Sequence, residues 1–379
     1  MTELQGAFDW SRASISLASS IMAFGIAFST PIVGALTERI HPRLLILFGV
    51  ASVALSFFAL SAVQSNVWLF YGVFLILALL GNFAGAAAVT PILTVAFRKA
   101  RGTAIGVAMA GIGLGGAVAS PIIAQIIYAY GWRTGYITMG VFCLAMLPVI
   151  WLLLRSTRDF SFAAHVHHAA PKALHSLTRP VFICLAGLFF TISLAATGLL
   201  LHYVPLLTDS GMDARKAATY ASFVGLSIIV VRLMIGSLID RLYAPHVAAA
   251  AMILGAAGLV LFSIDGSQFA LVGAVALALT FGSEVDLAAY LIAAYFGRAN
   301  YGKLFGICYA ISLLGGMGST VLYGASSDLF GSYSPVLLLA SGLVAGCAIV
   351  FLLLPRFPAQ NEASELAGNE STPLASPAR

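Results

Sequence analysis

The sequence predicts an all-α membrane protein whose helices form two pseudo-symmetric bundles. Three observations lead to this prediction. Of the 379 residues, 60% are hydrophobic and only 9% are charged, whereas a soluble globular chain carries about 25% charged residues. Eleven apolar runs reach the length of about 20 residues that crosses a bilayer. Two segments of the first half also recur, in the same order, in the second half.

Each apolar run is predicted to form one membrane-spanning helix, because a helix satisfies its own backbone polar groups in lipid. The lipid bilayer is therefore a predicted partner of the chain along most of its length. The predicted spans are 13–36, 43–62, 67–97, 104–129, 134–154, 180–205, 217–239, 246–264, 268–296, 304–327 and 333–354.

The internal repeat has two parts. The segment RGTAIGVAMAGIGLGG at 101–116 recurs as YGKLFGICYAISLLGG at 301–316, and GALTER at 34–39 recurs as GSLIDR at 236–241. A parallel duplication of a multi-helix half is found in secondary transporters. A channel or a membrane enzyme does not require it.

The longest stretch between predicted spans divides the chain. We expect an N-terminal bundle of five spans at 1–154, a cytoplasmic linker at 155–179, a C-terminal bundle of six spans at 180–355 and a disordered tail at 356–379. Equal halves would have six helices each. Because GALTER follows the first span of its half whereas GSLIDR follows the second, we expect the first helix of the duplicated unit to be missing.

The distribution of lysine and arginine predicts the orientation. Fourteen of the 19 lie in alternate loops and in the tail, four lie in the opposite loops, and Arg232 lies within a span. Cytoplasmic loops are enriched in these residues, so the C-terminus is predicted to be cytoplasmic, in the cell (inner) membrane. The same enrichment accounts for the net charge of +5 without nucleic acid as a partner.

Three charged residues lie at membrane depth: Arg232, Glu284 and Asp286. An arginine at the centre of a membrane helix costs about 2.5–3.5 kcal/mol on insertion scales, and such residues mark substrate or ion pathways. Counted from the helix ends, the depths of Arg232 and the two acids are compatible with an ion pair. The two acids are about 200° apart around their helix, so only one of them is expected to face a central cavity.

Two interpretations of these charges remain open. A carboxyl group that exchanges its arginine partner for a substrate anion can take up a proton in the same step, which gives the hypothesis of proton-coupled symport. The alternative is a static pair that only holds helices together. Tyr290 lies one helical turn from Asp286 and is a candidate substrate-binding residue with Arg232.

The two recurring loops are candidate conformational switches. Gly34 and Gly236 allow a neighbouring helix to approach closely, and the charges that follow lie at the predicted cytoplasmic interface. There they can bridge helix ends and hold one closed state until the bundles rock. These charged residues are Glu38, Arg39, Asp240 and Arg241.

GALTERIHPR and GSLIDR resemble the signature loop of the major facilitator superfamily, which lies between the second and third helices of each half. The first loop differs from the usual pattern at Glu38 and Pro42. Within the superfamily, FDWSRASIS, FRKARGTAIGVAMAGIGLGG, YGWR and HYVPLLTDSG resemble segments of the monocarboxylate and oxalate/formate transporters. The resemblance implies a carrier that works by alternating access.

The resemblance also implies a role for Arg232. In these carboxylate carriers, an arginine four residues before the signature glycine of the eighth family helix contacts the substrate carboxylate, and Arg232 stands four before Gly236. The family's acidic partner one turn earlier is replaced by Ile228, and span 304–327 lacks the cationic residue of oxalate carriers. We therefore expect one-site binding of a monocarboxylate rather than two-site binding of a dicarboxylate.

His202 is a candidate gate, proton-carrying or substrate-binding residue near the outer end of its span; a structural histidine is the alternative. The histidine run HVHH at 165–168 lies in the predicted linker, without fixed partner ligands for a metal. No cofactor and no metal are expected.

The sequence therefore predicts a secondary transporter of small organic anions that works as a monomer, with protons as candidate co-substrates. An exporter of drugs or amphipathic metabolites and a non-transporting sensor are the alternatives. An enzyme is not expected, because no nucleophile with a base, metal-ligand spacing or phosphate loop is present.

Overall fold

The computed structural model describes residues 7–8, 10, 12–37, 39–97, 100–155, 179–297 and 301–357. Glu38, the histidine run, most of the predicted linker and residues 358–379 of the predicted tail lie outside these ranges. Within them the secondary structure is helical and includes no strand. The helices of eight or more residues are α1 (Arg12–Leu36), α2 (Pro42–Ser61), α3 (Val67–Gly81), α4 (Ala86–Ala96), α5 (Arg101–Tyr130), α6 (Trp132–Leu153), α7 (Pro180–Asp209), α8 (Ala214–Ile239), α9 (Ala244–Ile264), α10 (Ala270–Leu277), α11 (Ser283–Phe296), α12 (Tyr301–Phe330) and α13 (Ser334–Leu353).

Ten helical segments of the described chain are long and apolar enough to cross a membrane. The predicted span 104–129 corresponds to α5, a continuous helix of 30 residues that is not among those ten. The number of eleven spans therefore stays a prediction. Many large apolar side chains point outward, such as Trp68 and Leu329, which are 79% and 77% exposed. An apolar surface of this extent requires a partner, and a bilayer supplies it.

Two of the predicted spans are interrupted rather than continuous helices. In span 67–97, a 3₁₀ turn at Asn82–Ala84 separates α3 from α4. In span 268–296, a π-helical turn at Ala278–Gly282 separates α10 from α11. The repeat offset of 200 brings Asn82 onto Gly282, so the interruptions lie at corresponding positions of the two halves. In transporters, interruptions at matched positions point to the binding site.

The helices of residues 12–153 meet those of residues 180–353 mainly through two helix pairs, α1 with α12 and α5 with α8. Both crossings lie near one end of the molecule, where α1 and α8 end and where α5 and α12 begin. We call this the signature-loop end, and the opposite end the far end.

Glycines permit the close approach at both crossings. Gly34 faces the backbone of Gly302 and Gly306, and Gly236 faces the backbone of Gly102. A Cβ atom added at Gly236 would lie 2.6 Å from the carbonyl oxygen of Gly102, closer than packed atoms approach. The glycines of the sequence repeat therefore hold the two ranges of helices together at the signature-loop end.

Candidate functional site

Arg232 lies on α8, about 10 Å before this helix ends at Ile239, which lies at the signature-loop end. The residue is 8% exposed. Its Nη1 donates a hydrogen bond to Oδ1 of Asp286 on α11 at 3.0 Å, which also makes the two residues an ion pair. The structure thus supplies from α11 the acidic partner that α8 lacks at Ile228.

Asp286 is fully buried, yet its second oxygen is unused. Oδ2 has no hydrogen-bond partner among the described residues. Within the same ranges, Oδ1 is the one acceptor bound by the side chain of Arg232, although a guanidinium carries five N–H donors. The pair is therefore monodentate, and both of its members retain capacity to bind a further group.

Glu284 faces a different set of helices. It is 3% exposed, and its Oε1 accepts a hydrogen bond from the hydroxyl of Ser312 on α12. Ser193 of α7 lies beside the same carboxyl group. Two residue steps separate Glu284 from Asp286 and turn the helix by about 200°, so Asp286 faces α8 while Glu284 faces α7 and α12.

The charges of Arg232, Asp286 and Glu284 act on one another within this buried cluster. Arg232 interacts electrostatically with both carboxyl groups, and the hydroxyl of Tyr309 on α12 lies within the field of Glu284 and Arg232. One cation and two acids share this part of the interior. Both acids ionised would leave a net charge of −1, and uncompensated buried charge costs several kcal/mol.

Tyr290 lies one helical turn beyond Asp286, towards the signature-loop end. Its half-buried ring has the guanidinium carbon of Arg101 at 5.9 Å from its centroid. Among the described residues, no hydrogen bond joins Tyr290 to Arg232. Tyr290 therefore belongs to the contact between α11 and the start of α5 rather than to the ion pair.

His202 lies on α7, about 10 Å from its far end at Asp209. Its Nδ1 is 3.2 Å from the hydroxyl of Tyr333. Its ring stacks on the ring of Tyr323, with 6.2 Å between the two ring centroids. Because Arg232 is equally close to the opposite end of its helix, the structure does not bring His202 together with the Arg232–Asp286 pair.

The second signature loop forms hydrogen bonds with the start of α5, across the crossing of α5 with α8. The Asp240 carboxylate accepts hydrogen bonds from the backbone N–H groups of Gly102 and Thr103, at 2.7 and 2.8 Å, and from the Thr103 hydroxyl at 2.8 Å. A carboxylate at a helix N-terminus satisfies orphan donors and complements the helix dipole. Asp240 thus caps α5 from across the crossing with α8.

In the first loop, Gly34 lies in the matching crossing of α1 with α12, whereas Arg39 is exposed, as is Arg241 of the second loop. Glu38 lies outside the described residues. The cap made by Asp240 was not predicted in detail. The sequence did contain a signal for this contact, because the repeat places each signature loop and each glycine-rich segment at the same end of the bundle.

The comparisons identify the family. The model of the Major Facilitator Superfamily matches residues 1–285. The chain belongs to this superfamily. Among curated relatives, monocarboxylate transporter 13 of Rattus norvegicus is 27% identical over 94% of this chain and 83% of its own length. An agnestins efflux protein of Paecilomyces divaricatus is 29% identical over 94% of this chain and 81% of its own.

Solved structures of the superfamily share the fold. An Escherichia coli fucose:proton symporter superposes with a TM-score of 0.73 at 17% identity, covering 94% of both chains. The major facilitator resemblance and the all-helical membrane fold predicted from the sequence are thereby confirmed. The protein is a multi-pass transporter of the superfamily, not an enzyme.

Proposed function

We propose that this major facilitator protein carries small organic anions of the monocarboxylate type by alternating access. The observation that carries the proposal is the buried Arg232, which is bound by a single hydrogen bond to Asp286. A guanidinium binds a carboxylate best through two parallel hydrogen bonds. A substrate carboxylate can therefore replace a monodentate internal partner at little cost.

The exchange of partners at Arg232 provides the coupling to protons. When a substrate anion takes the guanidinium, Asp286 loses its counter-charge in a buried site, and an isolated carboxylate there is strongly disfavoured. Asp286 then takes up a proton. One anion and one proton move together, so the buried charge of the site does not change.

Glu284 has a separate role in this scheme. A single arginine neutralises only one of the two acids, so the second acid is held as a neutral carboxylic acid between Ser312 and Ser193. Glu284 is that residue, because it bonds to hydroxyl groups whereas Asp286 bonds to the guanidinium. It remains protonated while Asp286 gains and loses its proton.

The switch between states takes place at the signature-loop end, which the bias of basic residues assigns to the cytoplasm. There Asp240 caps α5, and with this cap in place the cytoplasmic side is closed. Tyr290 and His202 contact the substrate on its path, on the cytoplasmic and the outer side of Arg232. The C-terminus is cytoplasmic, the membrane is the cell (inner) membrane and the carrier works as a monomer.

The relatives support the proposal and also favour a second candidate. Several relatives are named monocarboxylate transporters, while one is named an efflux protein for agnestins. Export of a larger acidic metabolite through the same arginine is therefore the alternative. The two differ in the size of the acid that competes and in the direction of net transport.

The test is uptake of labelled lactate, pyruvate, formate and oxalate into proteoliposomes with an inward proton gradient. Wild type is compared with Arg232→Gln, with Arg232→Lys, and with Arg133→Gln as a matched control at the far end. We expect saturable uptake of a monocarboxylate, loss of at least about tenfold in Arg232→Gln, and near-normal uptake in the control. Equal uptake by Arg232→Gln and wild type would overturn the proposal. Inhibition only by bulky acids would favour export.

A further inference from the structure

A groove between α2 and α6 lies outside the transport site. It has a volume of about 620 Å³ and is lined by Leu47, Phe48 and Ala51 of α2 and by Leu147, Pro148 and Trp151 of α6. Every lining side chain is apolar. The groove begins near the start of α2 and the end of α6, which places its mouth at the signature-loop end and its floor along the membrane-facing surface.

A buried arginine lies at the mouth of this groove. Arg43 is 9% exposed, and its guanidinium carbon lies 4.6 Å from the ring centroid of Trp151. Among the described residues, no carboxylate lies within ion-pair distance of Arg43. Within the described chain this buried cation is paired with an aromatic face and with no carboxylate, which points to an anionic group supplied from outside.

The surroundings of the mouth carry the same sign of charge. Arg39 before α2 and Arg155 after α6 are exposed. The sequence that flanks the two helices adds Arg158 and Lys172 together with two acids, Glu38 and Asp159, so its basic residues outnumber the acidic ones. Basic pockets between membrane helices at this level bind anionic lipid headgroups.

We propose that this groove binds a phospholipid with an anionic headgroup. The phosphate binds Arg43 at the mouth, and an acyl chain lies along the apolar floor against Phe48, Ala51 and Pro148. Trp151 separates the two regions and contacts both, as an aromatic residue at the membrane interface does. The bound lipid joins α2 to α6, two helices that pack along each other, and it leaves the Arg232 site untouched.

The test uses the full chain in detergent and follows its thermal unfolding as lipid is added. Phosphatidylglycerol should raise the unfolding temperature, and phosphatidylcholine or inorganic phosphate should raise it much less. In Arg43→Gln, phosphatidylglycerol should bind about fivefold more weakly, because one basic residue near a lipid surface contributes about 1 kcal/mol. Arg43→Lys should retain most of the effect.

Two further variants keep the test decisive. Arg133→Gln is the matched control, because Arg133 also stacks on a tryptophan, 4.3 Å from the Trp132 ring, but at the far end. Ala51→Leu fills the groove and keeps the arginine, so it should weaken phosphatidylglycerol binding even if Arg43→Gln fails to fold. An equal response to both lipids, equal losses in Arg43→Gln and Arg133→Gln, or a dimer that Ala51→Leu dissociates would overturn the proposal.

Discussion

Arg232 stands in an apolar helix, and its neighbours account for its retention there. Burial of a lone guanidinium is costly, but Asp286 offsets the charge at 3.0 Å. In a purely structural pair we would expect two parallel hydrogen bonds, so the unused oxygen of Asp286 favours the proposed exchange of partners. At the scale of the residue, the ion pair stabilises Arg232 within the membrane, and the free oxygen of Asp286 together with the free N–H groups of Arg232 would let a substrate carboxylate replace Asp286.

Asp286→Asn separates anion binding from proton coupling. The asparagine keeps the shape of the side chain but cannot take up a proton in the exchange. We expect anion exchange between the two sides to persist, while accumulation driven by a proton gradient falls to the background. Removal of one member of a buried pair costs about 3–5 kcal/mol of stability, so thermal unfolding is measured in parallel. Gradient-driven accumulation at the wild-type level would contradict the assignment.

Glu284→Gln is the matched variant for the second acid. A glutamine resembles a carboxylic acid that keeps its proton, and it can still bond to the Ser312 hydroxyl. We therefore expect gradient-driven uptake within about twofold of wild type, because the proposed scheme keeps this side chain neutral throughout. Loss of coupling in Glu284→Gln with coupling intact in Asp286→Asn would reverse the two roles.

At the scale of the element, we expect the two helix crossings to control the switch between states. A Cβ at Gly236 would lie 2.6 Å from the Gly102 carbonyl oxygen, whereas nothing lies within 4 Å of a Cβ at Gly225 on the same helix. Overpacking costs about 1–3 kcal/mol, which corresponds to a shift of roughly 5- to 150-fold between two states. Gly236→Ala should therefore open the signature-loop end, and Gly225→Ala should not.

The distance between spin labels attached at positions 39 and 241 measures this opening. Both positions are exposed at the signature-loop end, one in each range of helices. The distance distribution should move to longer values in Gly236→Ala and stay at the wild-type values in Gly225→Ala. Identical distributions in the two variants would show that the crossing does not control the state.

Asp240→Asn acts on the same crossing through charge. Asparagine has one acceptor oxygen where the carboxylate has two, so it loses the hydrogen bonds at one oxygen together with the attraction to the helix dipole, which is worth about 0.3–1 kcal/mol. The labels at positions 39 and 241 should show a shift in the same direction as in Gly236→Ala, and a smaller one. A shift that is larger at high salt than at low salt would argue against an electrostatic origin, because salt screens the dipole interaction.

At the scale of the whole molecule, the two ranges of helices meet at the signature-loop end. The positions of basic residues predict that this end is cytoplasmic, and the prediction has a direct check. Arg215 lies at the far end and Arg241 at the signature-loop end, and both are exposed. In intact cells, a membrane-impermeant thiol reagent should label Arg215→Cys and leave Arg241→Cys unlabelled. The reverse pattern would invert the orientation.

Most of the architecture could be predicted because an apolar run of about 20 residues is enough to identify a membrane helix in a sequence. The internal repeat indicated a transporter, and the depth of Arg232 indicated an acidic partner on the span that contains Asp286. The interruptions at Asn82–Ala84 and Ala278–Gly282 were not predicted, because both segments read as continuous apolar runs. The choice of Asp286 over Glu284 could not be predicted either, since it depends on which helices face each side of α11.

The central claim is that a substrate anion displaces Asp286 from Arg232 and that Asp286 then takes up a proton. The most direct test measures the pH change when the transported acid binds to purified protein in weakly buffered detergent solution. We predict uptake of about one proton for each bound anion in wild type and none in Asp286→Asn. Anion binding without proton uptake in wild type, or equal proton uptake in Asp286→Asn, would contradict the account.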